Sequence, residues 1–148
     1  KGLGLLDVET TLEKEKKTYQ VAAIIQSEAR SQESGVNGYE IHMGDTTGRE
    51  KPFSIITERN SAALKREDGA ISKGGRVWGT YIHGIFDNDE FRAGFLNEIR
   101  IVKGLPEQGI SAFAEKKDKQ MKTLAITINN SIDLPRLYEI MKIDFRPV

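Results

Sequence analysis

A chain of 148 residues is long enough for one domain with a real hydrophobic core and too short for two large ones. Its 22 basic residues balance 22 acidic ones, so no field suited to a polyanion or to nucleic acid is implied. The absence of cysteine excludes disulfides, thiolate metal sites and a cysteine nucleophile within these residues, and is compatible with a cytoplasmic location.

Residues 1–11 (K-G-L-G-L-L-D-V-E-T-T) open without an N-cap pattern and read like the middle of a domain rather than its beginning. The opening K-G-L-G-L-L is too short for a signal peptide, and no run approaches the length of a membrane span. The charged run at 12–18 reads as a solvated turn or strand edge. Residues 19–26 (Y-Q-V-A-A-I-I-Q) are short and rich in β-branched side chains, which predicts a strand. A polar stretch follows at 27–37, with Ser34-Gly35 and Asn37-Gly38 as turn signals. A second strand is predicted at 38–43, antiparallel to the first, with Glu40 and His42 on one face.

A loop at 45–51 ends at Pro52 and leads to a third strand at 53–57 (F-S-I-I-T). Residues 58–75 carry D-G and G-G turns and many charges, and read as an excursion with a short strand at Ala70-Ile71. Gly74-Gly75 lacks the spacing that lets successive amides wrap a phosphate. Residues 77–82 predict a central strand that delivers His83 to its carboxyl end. Asp87, Asn88 and Asp89 offer N-caps for a one-sided helix at 90–102, with Gly104 as its stop. That helix N-terminus is expected to raise the potential beside His83 and favour an anionic group there. Two further helices are predicted at 112–128 and 134–141, the last capped by Asp133 with Pro135 in its first turn, and residues 144–148 are expected to fray.

The chemistry concentrates on two places. An imidazole at a strand end just before a glycine is where open α/β sheets put working groups, although a core histidine bonded to a carbonyl reads the same way. Glu40 and His42 would make a charge-assisted pair, lining a site or, by the reading we favour, serving structure alone. Two distant histidines and no ligand spacing give no metal signature.

Three blocks, G-L-G-L-L-D-V-E-T-T, G-Y-E-I-H-M-G and V-W-G-T-Y-I-H-G-I-F-D-N, occur in an order that resembles the cobyric acid synthases. More closely, residues 2–105 resemble the C-terminal part of the glutamine amidotransferase domain of that family. The fold so implied is α/β, the C-terminal half of a flavodoxin-like class I amidotransferase domain, with a β-sheet flanked by helices. Residues 1–110 would belong to that domain, and 111–148 would be C-terminal helices packing on it, closing over one face of the sheet. An uncovered sheet edge would then be open to pairing with a second copy of the chain.

The resemblance makes His83 the catalytic base of a cysteine–histidine glutaminase, whose cysteine would lie upstream of Lys1. Triad-bearing relatives carry an orienting glutamate two residues beyond this histidine; here that position is Ile85. The implied reaction is ATP-dependent amidation of carboxylates on a corrin ring in cobalamin (vitamin B12) biosynthesis, a ligase activity using ammonia from glutamine. Glutamine and the corrinoid would be partners of the full-length enzyme, with neither nucleic acid nor membrane. No cofactor is expected in this chain; ATP and Mg2+ would belong to a separate synthetase domain. The isolated chain is expected to be inactive. Two other readings are an amidotransferase of the same type acting on a cell-wall precursor, and a non-catalytic α/β interaction module.

Overall fold

The best-covered part of the sheet is where small and β-branched residues alternate, Val21, Ala23 and Ile25 facing the core and Ala22 and Ile24 the other way. The computed structural model describes residues 2–26 and 34–144. The expected polar loop at 27–33 and the frayed end at 145–148 lie outside the described residues. The chain divides into two compact units, Lys1–Ser111 and Ala112–Val148, each described by itself.

In the first unit β1 (Val8–Ile25) is central, flanked by β2 (Ser34–Gly48) and β3 (Ser54–Arg59). The strands β4 (Ala62–Asp68) and β7 (Ile82–His83) form the two edges, giving the order β4-β3-β1-β2-β7 with every pair antiparallel. A second, two-stranded sheet joins β5 (Ala70–Ile71) to β6 (Trp78–Gly79). The mixed α/β class is as expected, and the antiparallel β1–β2 pair also matches. Residues 13–16 of the charged run have only Met43 opposite them between paired Leu12–Gly44 and Lys17–His42, so they leave the ladder as a solvated bulge.

Three local expectations are corrected. Ser34-Gly35 and Asn37-Gly38 make no turn but belong to β2. Glycine is needed at 38 because a Cβ there would stand 2.4 Å from the His83 carbonyl oxygen. The excursion at 58–75 contains a full strand, β4, joined to β3 by a two-residue turn. Asn60 and Ser61 adopt φ of 49° and 66°, the mirror-image turn that suits a hairpin, and Asn60 Oδ1 accepts a bond from the Gln20 amide at 2.9 Å. The run of charges Lys65, Arg66 and Glu67 hid this strand, and at a sheet edge such charges discourage further pairing.

The central strand expected at 77–82 is two short ones in different sheets. Trp78-Gly79 pairs with Ala70-Ile71, Thr80 and Tyr81 cross over, and Ile82-His83 pairs with Tyr39-Glu40 at a sheet edge. Gly69 packs so closely at the crossing that a Cβ would lie 2.0 Å from the Gly79 oxygen, and its φ of +67° also calls for glycine.

The helix α1 (Asp89–Val102) covers the core face. Phe91 is 1 % exposed and meets Phe53 and Trp78 edge-on at centroid separations of 6.4 and 6.3 Å, while Trp78 stacks on Phe53 at 4.4 Å. Gly104, with φ of +67°, follows the helix end as expected. In the second unit α2 (Phe113–Ser131) leads to α3 (Leu134–Met141), whose Asp133 accepts a bond from the Arg136 amide at 3.0 Å, with Pro135 in the first turn.

Replacing Phe91 by Ala should cost about 3–5 kcal/mol, because it removes the ring against which both Phe53 and Trp78 pack. Chemical denaturation followed by Trp78 fluorescence measures this, and a loss under about 1 kcal/mol would show that the aromatic cluster is not the core.

Candidate active site

His83 sits at the end of β7, directly opposite Tyr39 of β2, and both side chains are exposed. Cross-strand partners share a face. The next pair, Glu40 and Ile82, therefore points the other way, and both residues are buried at 3 % exposure. The sequence pairs this His83 with Gly84, and the structure shows why: Gly84 takes φ of 78°, turning the chain sharply into the 3-10 turn Ile85–Asp87.

That turn is fastened back to β2 by one side chain. Asn88 Oδ1 accepts from the Asn37 amide at 2.9 Å, and Nδ2 donates to the Asn37 carbonyl at 2.9 Å and to the Ile85 carbonyl at 3.0 Å. Asn88 stands at the N-cap of α1 but makes no side-chain cap bond, being spent on β2 instead. The expected anion-favouring helix N-terminus is offset by Asp89 and Glu90 in the first turn. Beside the turn lies a cleft of about 320 Å³ lined by Gln20, Asn37, Tyr39, Glu58, Gly84 and Asp87. It is open to solvent on one side, and two of its lining residues, Gly84 and Tyr39, are the chain neighbour and the ladder partner of His83.

Glu40 and His42 do share a face, as read from the sequence, but it is the buried one. His42 Nε2 lies 3.2 Å from Glu40 Oε1, and Arg59 donates to Glu40 Oε2 at 2.5 Å. The guanidinium of Arg59 sits 4.1 Å above the Tyr19 ring, and the His42 ring stacks on Tyr81 at 4.6 Å. The sheet thus separates this cluster from the His83 side chain, which favours the structural role for Glu40 and His42. Ile85 is 6 % exposed, so the position two residues beyond His83 is a core position that holds no orienting acid.

The sequence shows Asp68 only as part of a D-G turn, yet its side chain is buried and accepts three hydrogen bonds. It is 5 % exposed and accepts bonds from Ser54 Oγ at 3.0 Å, from the Tyr81 amide at 3.1 Å and from the Thr80 hydroxyl. Burial pushes its carboxyl above the ordinary value of 3.8, the three donors pull it back, and the charge of Glu40 adds a smaller upward push. No sequence signal distinguishes it from a surface turn residue. Among the described residues, no group of three His, Asp or Glu side chains is placed to hold a metal ion.

The profile of the CobB/CobQ-like glutamine amidotransferase domain matches residues 1–91, which contain all three sequence blocks and His83. The chain belongs to that family. It is 46 % identical over 149 residues to the cobyric acid synthase of a Thermoanaerobacter species, covering 95 % of this chain and 29 % of the relative. The corresponding enzyme of Caldanaerobacter subterraneus is 44 % identical with the same coverage. That of Streptococcus sanguinis is 42 % identical over 145 residues, covering 95 % and 28 %. The chain therefore spans less than a third of the length of these curated relatives. No solved structure gives a significant match. In this amidotransferase chain His83 and its turn fall inside the matched residues, whereas α2 and α3 lie beyond them.

Because the folded state holds Asp68 with a raised pKa, the protonated form favours folding. That contribution is fully present below the unfolded value of 3.8 and is lost as pH rises through the higher folded value. Asp68→Asn, which cannot ionise, lacks this dependence. The melting-temperature difference between wild type and Asp68→Asn should therefore shift against the wild type between about pH 4 and about pH 7. A difference that is flat across that range, or moves the other way, would contradict the raised pKa.

Proposed function

We propose that this chain is the histidine-bearing part of a glutamine-dependent cobyric acid synthase. The observation that carries the reading is His83, exposed at a strand end whose neighbours Gly84 and Tyr39 line an open cleft, and lying within the family-matched residues. In the proposed reaction a cysteine thiol from outside these residues attacks the carboxamide carbon of glutamine while His83 takes the thiol proton. The imidazolium then returns that proton to the departing nitrogen, releasing ammonia and leaving a thioester. Water, deprotonated by the same imidazole, hydrolyses the thioester to glutamate and frees the thiol. The ammonia would amidate carboxylates on a corrin ring.

ATP and Mg2+ would activate those carboxylates, and the described residues show no group that fits either one. Gly74-Gly75 is no phosphate loop, and no acidic cluster among the described residues is placed for a cation. No step is therefore assigned to them here. Among the described residues, no helix is long and apolar enough to cross a membrane.

The test separates nitrogen sources. In the complete protein that contains this chain, His83→Asn should lower glutamine-dependent amidation on the order of a hundredfold or more while amidation from ammonium salt survives. His42→Asn should retain much more of the glutamine-dependent rate. Near-normal glutamine use by His83→Asn, or loss of both activities with a collapsed circular dichroism spectrum, would overturn the assignment.

The chain alone should release no glutamate from glutamine, since an imidazole without a thiolate partner has nothing to activate. Glutaminase turnover by the purified chain that disappears in His83→Ala would refute this.

A further inference from the structure

The strand that presents His83 is only two residues long, and it meets β2 through just two ladder pairs, Tyr39–His83 and Glu40–Ile82. So short a pairing specifies its register weakly. A slip of one residue would turn every side chain over, sending the imidazole to the core face and Ile82 to the cleft. Burial of Ile82 favours the observed register, and contacts outside the ladder add to it.

Upstream of His83 the backbone is held by side chains. The carboxylate of Asp68 accepts the Tyr81 amide at 3.1 Å and the Thr80 hydroxyl, and that hydroxyl accepts the Ile82 amide at 3.0 Å. The amides of both residues before His83 thus end on one carboxylate, one directly and one through a single hydroxyl. Asp68 is itself immobilised, 5 % exposed, paired with Ser54 in the β3–β4 ladder and bonded to the Ser54 hydroxyl at 3.0 Å.

We propose that Asp68 is a positioning residue for His83, its carboxylate fixing through Thr80 and Tyr81 the register at which the histidine strand joins β2. The proposal rests on the reading of His83 as the glutaminase base. A carboxylate suits this task because three donors converge on it and it only accepts; an asparagine in its place would turn an NH2 toward one of them. An outright structural role would also require Asp68, but it would not require the Thr80 hydroxyl in particular, since Thr80 is only half-buried at the crossing.

The experiment uses the complete protein with Asp68→Asn, Thr80→Val, Thr80→Ser and His83→Asn, assayed with glutamine and with ammonium salt. Displacement of the imidazole should lower kcat with glutamine on the order of tenfold to a hundredfold in Asp68→Asn and Thr80→Val. KM for glutamine should change by less than about threefold, and the ammonia-dependent rate by less than about twofold, because neither Asp68 nor Thr80 lines the cleft next to the histidine strand. Thr80→Ser, which restores the hydroxyl, should recover most of the loss. Wild-type kcat in Thr80→Val, or equal losses in Thr80→Val and Thr80→Ser, would overturn the proposal while leaving the His83 reading intact, provided His83→Asn has lost glutamine use. Normal glutamine use by His83→Asn would instead overturn that reading and the proposal with it. Should Asp68→Asn fail to fold, the Thr80 pair decides the matter.

Discussion

The first unit depends on one buried carboxylate at the place where the chain changes sheets. Between Gly79 and Ile82 the backbone leaves the small β5–β6 sheet and enters the edge of the large one, and in between it has no ladder partner of its own apart from the Ile41 amide on the Tyr81 carbonyl. Buried backbone amides left unbonded would each cost about 1–3 kcal/mol. Asp68 removes that cost for Tyr81 directly and for Ile82 through Thr80. The opposed influences on its pKa record the same trade: desolvation makes the charge unfavourable, and converging donors offset part of that penalty.

Strand alternation then divides the polar groups between two environments. On the buried face Glu40 is bonded to both His42 and Arg59, Arg59 covers Tyr19 and His42 stacks on Tyr81. A network of that kind is strongly destabilised by losing any one partner, because the remaining charge stays buried. On the open face His83 and Tyr39 are exposed, and Tyr39 and Gly84, the neighbours of His83 in ladder and chain, line a cleft. Two histidines out of phase on paired strands therefore have different surroundings, and parity alone decides which is buried.

Much of this was legible in the sequence where a single element's pattern carried the information. The end of the first strand, the helix at 90–102, its glycine stop and the Asp133 cap follow from periodicity and terminal chemistry and appear within a residue or two of their expected places, whereas that strand begins at Val8, eleven residues before its expected start at Tyr19. The order of the three motifs carried the family. What stayed hidden depends on contacts between distant residues. Asn37-Gly38 looks like a turn until the His83 carbonyl is seen pressed against it. Residues 77–82 look like one strand because every residue there suits a strand; only Gly69 and Asp68, ten residues earlier, break it in two. The β4 strand was masked by its charges, and its hairpin by a turn that uses Asn-Ser where Asn-Gly is the usual signal.

The location of the site follows from these same constraints. A histidine in a long central strand would be held rigidly but covered on both sides by neighbouring strands and their side chains. At the end of a two-residue edge strand it is open, and the ladder then supplies too little restraint. Side chains make up the difference from both directions, Asp68 through Thr80 and Tyr81 before the imidazole and Asn88 through Asn37 after it. Both clamps close on backbone groups, so they constrain where the strand lies without occupying the face that the imidazole presents. Holding the strand by its backbone fixes where the imidazole stands without using the imidazole itself.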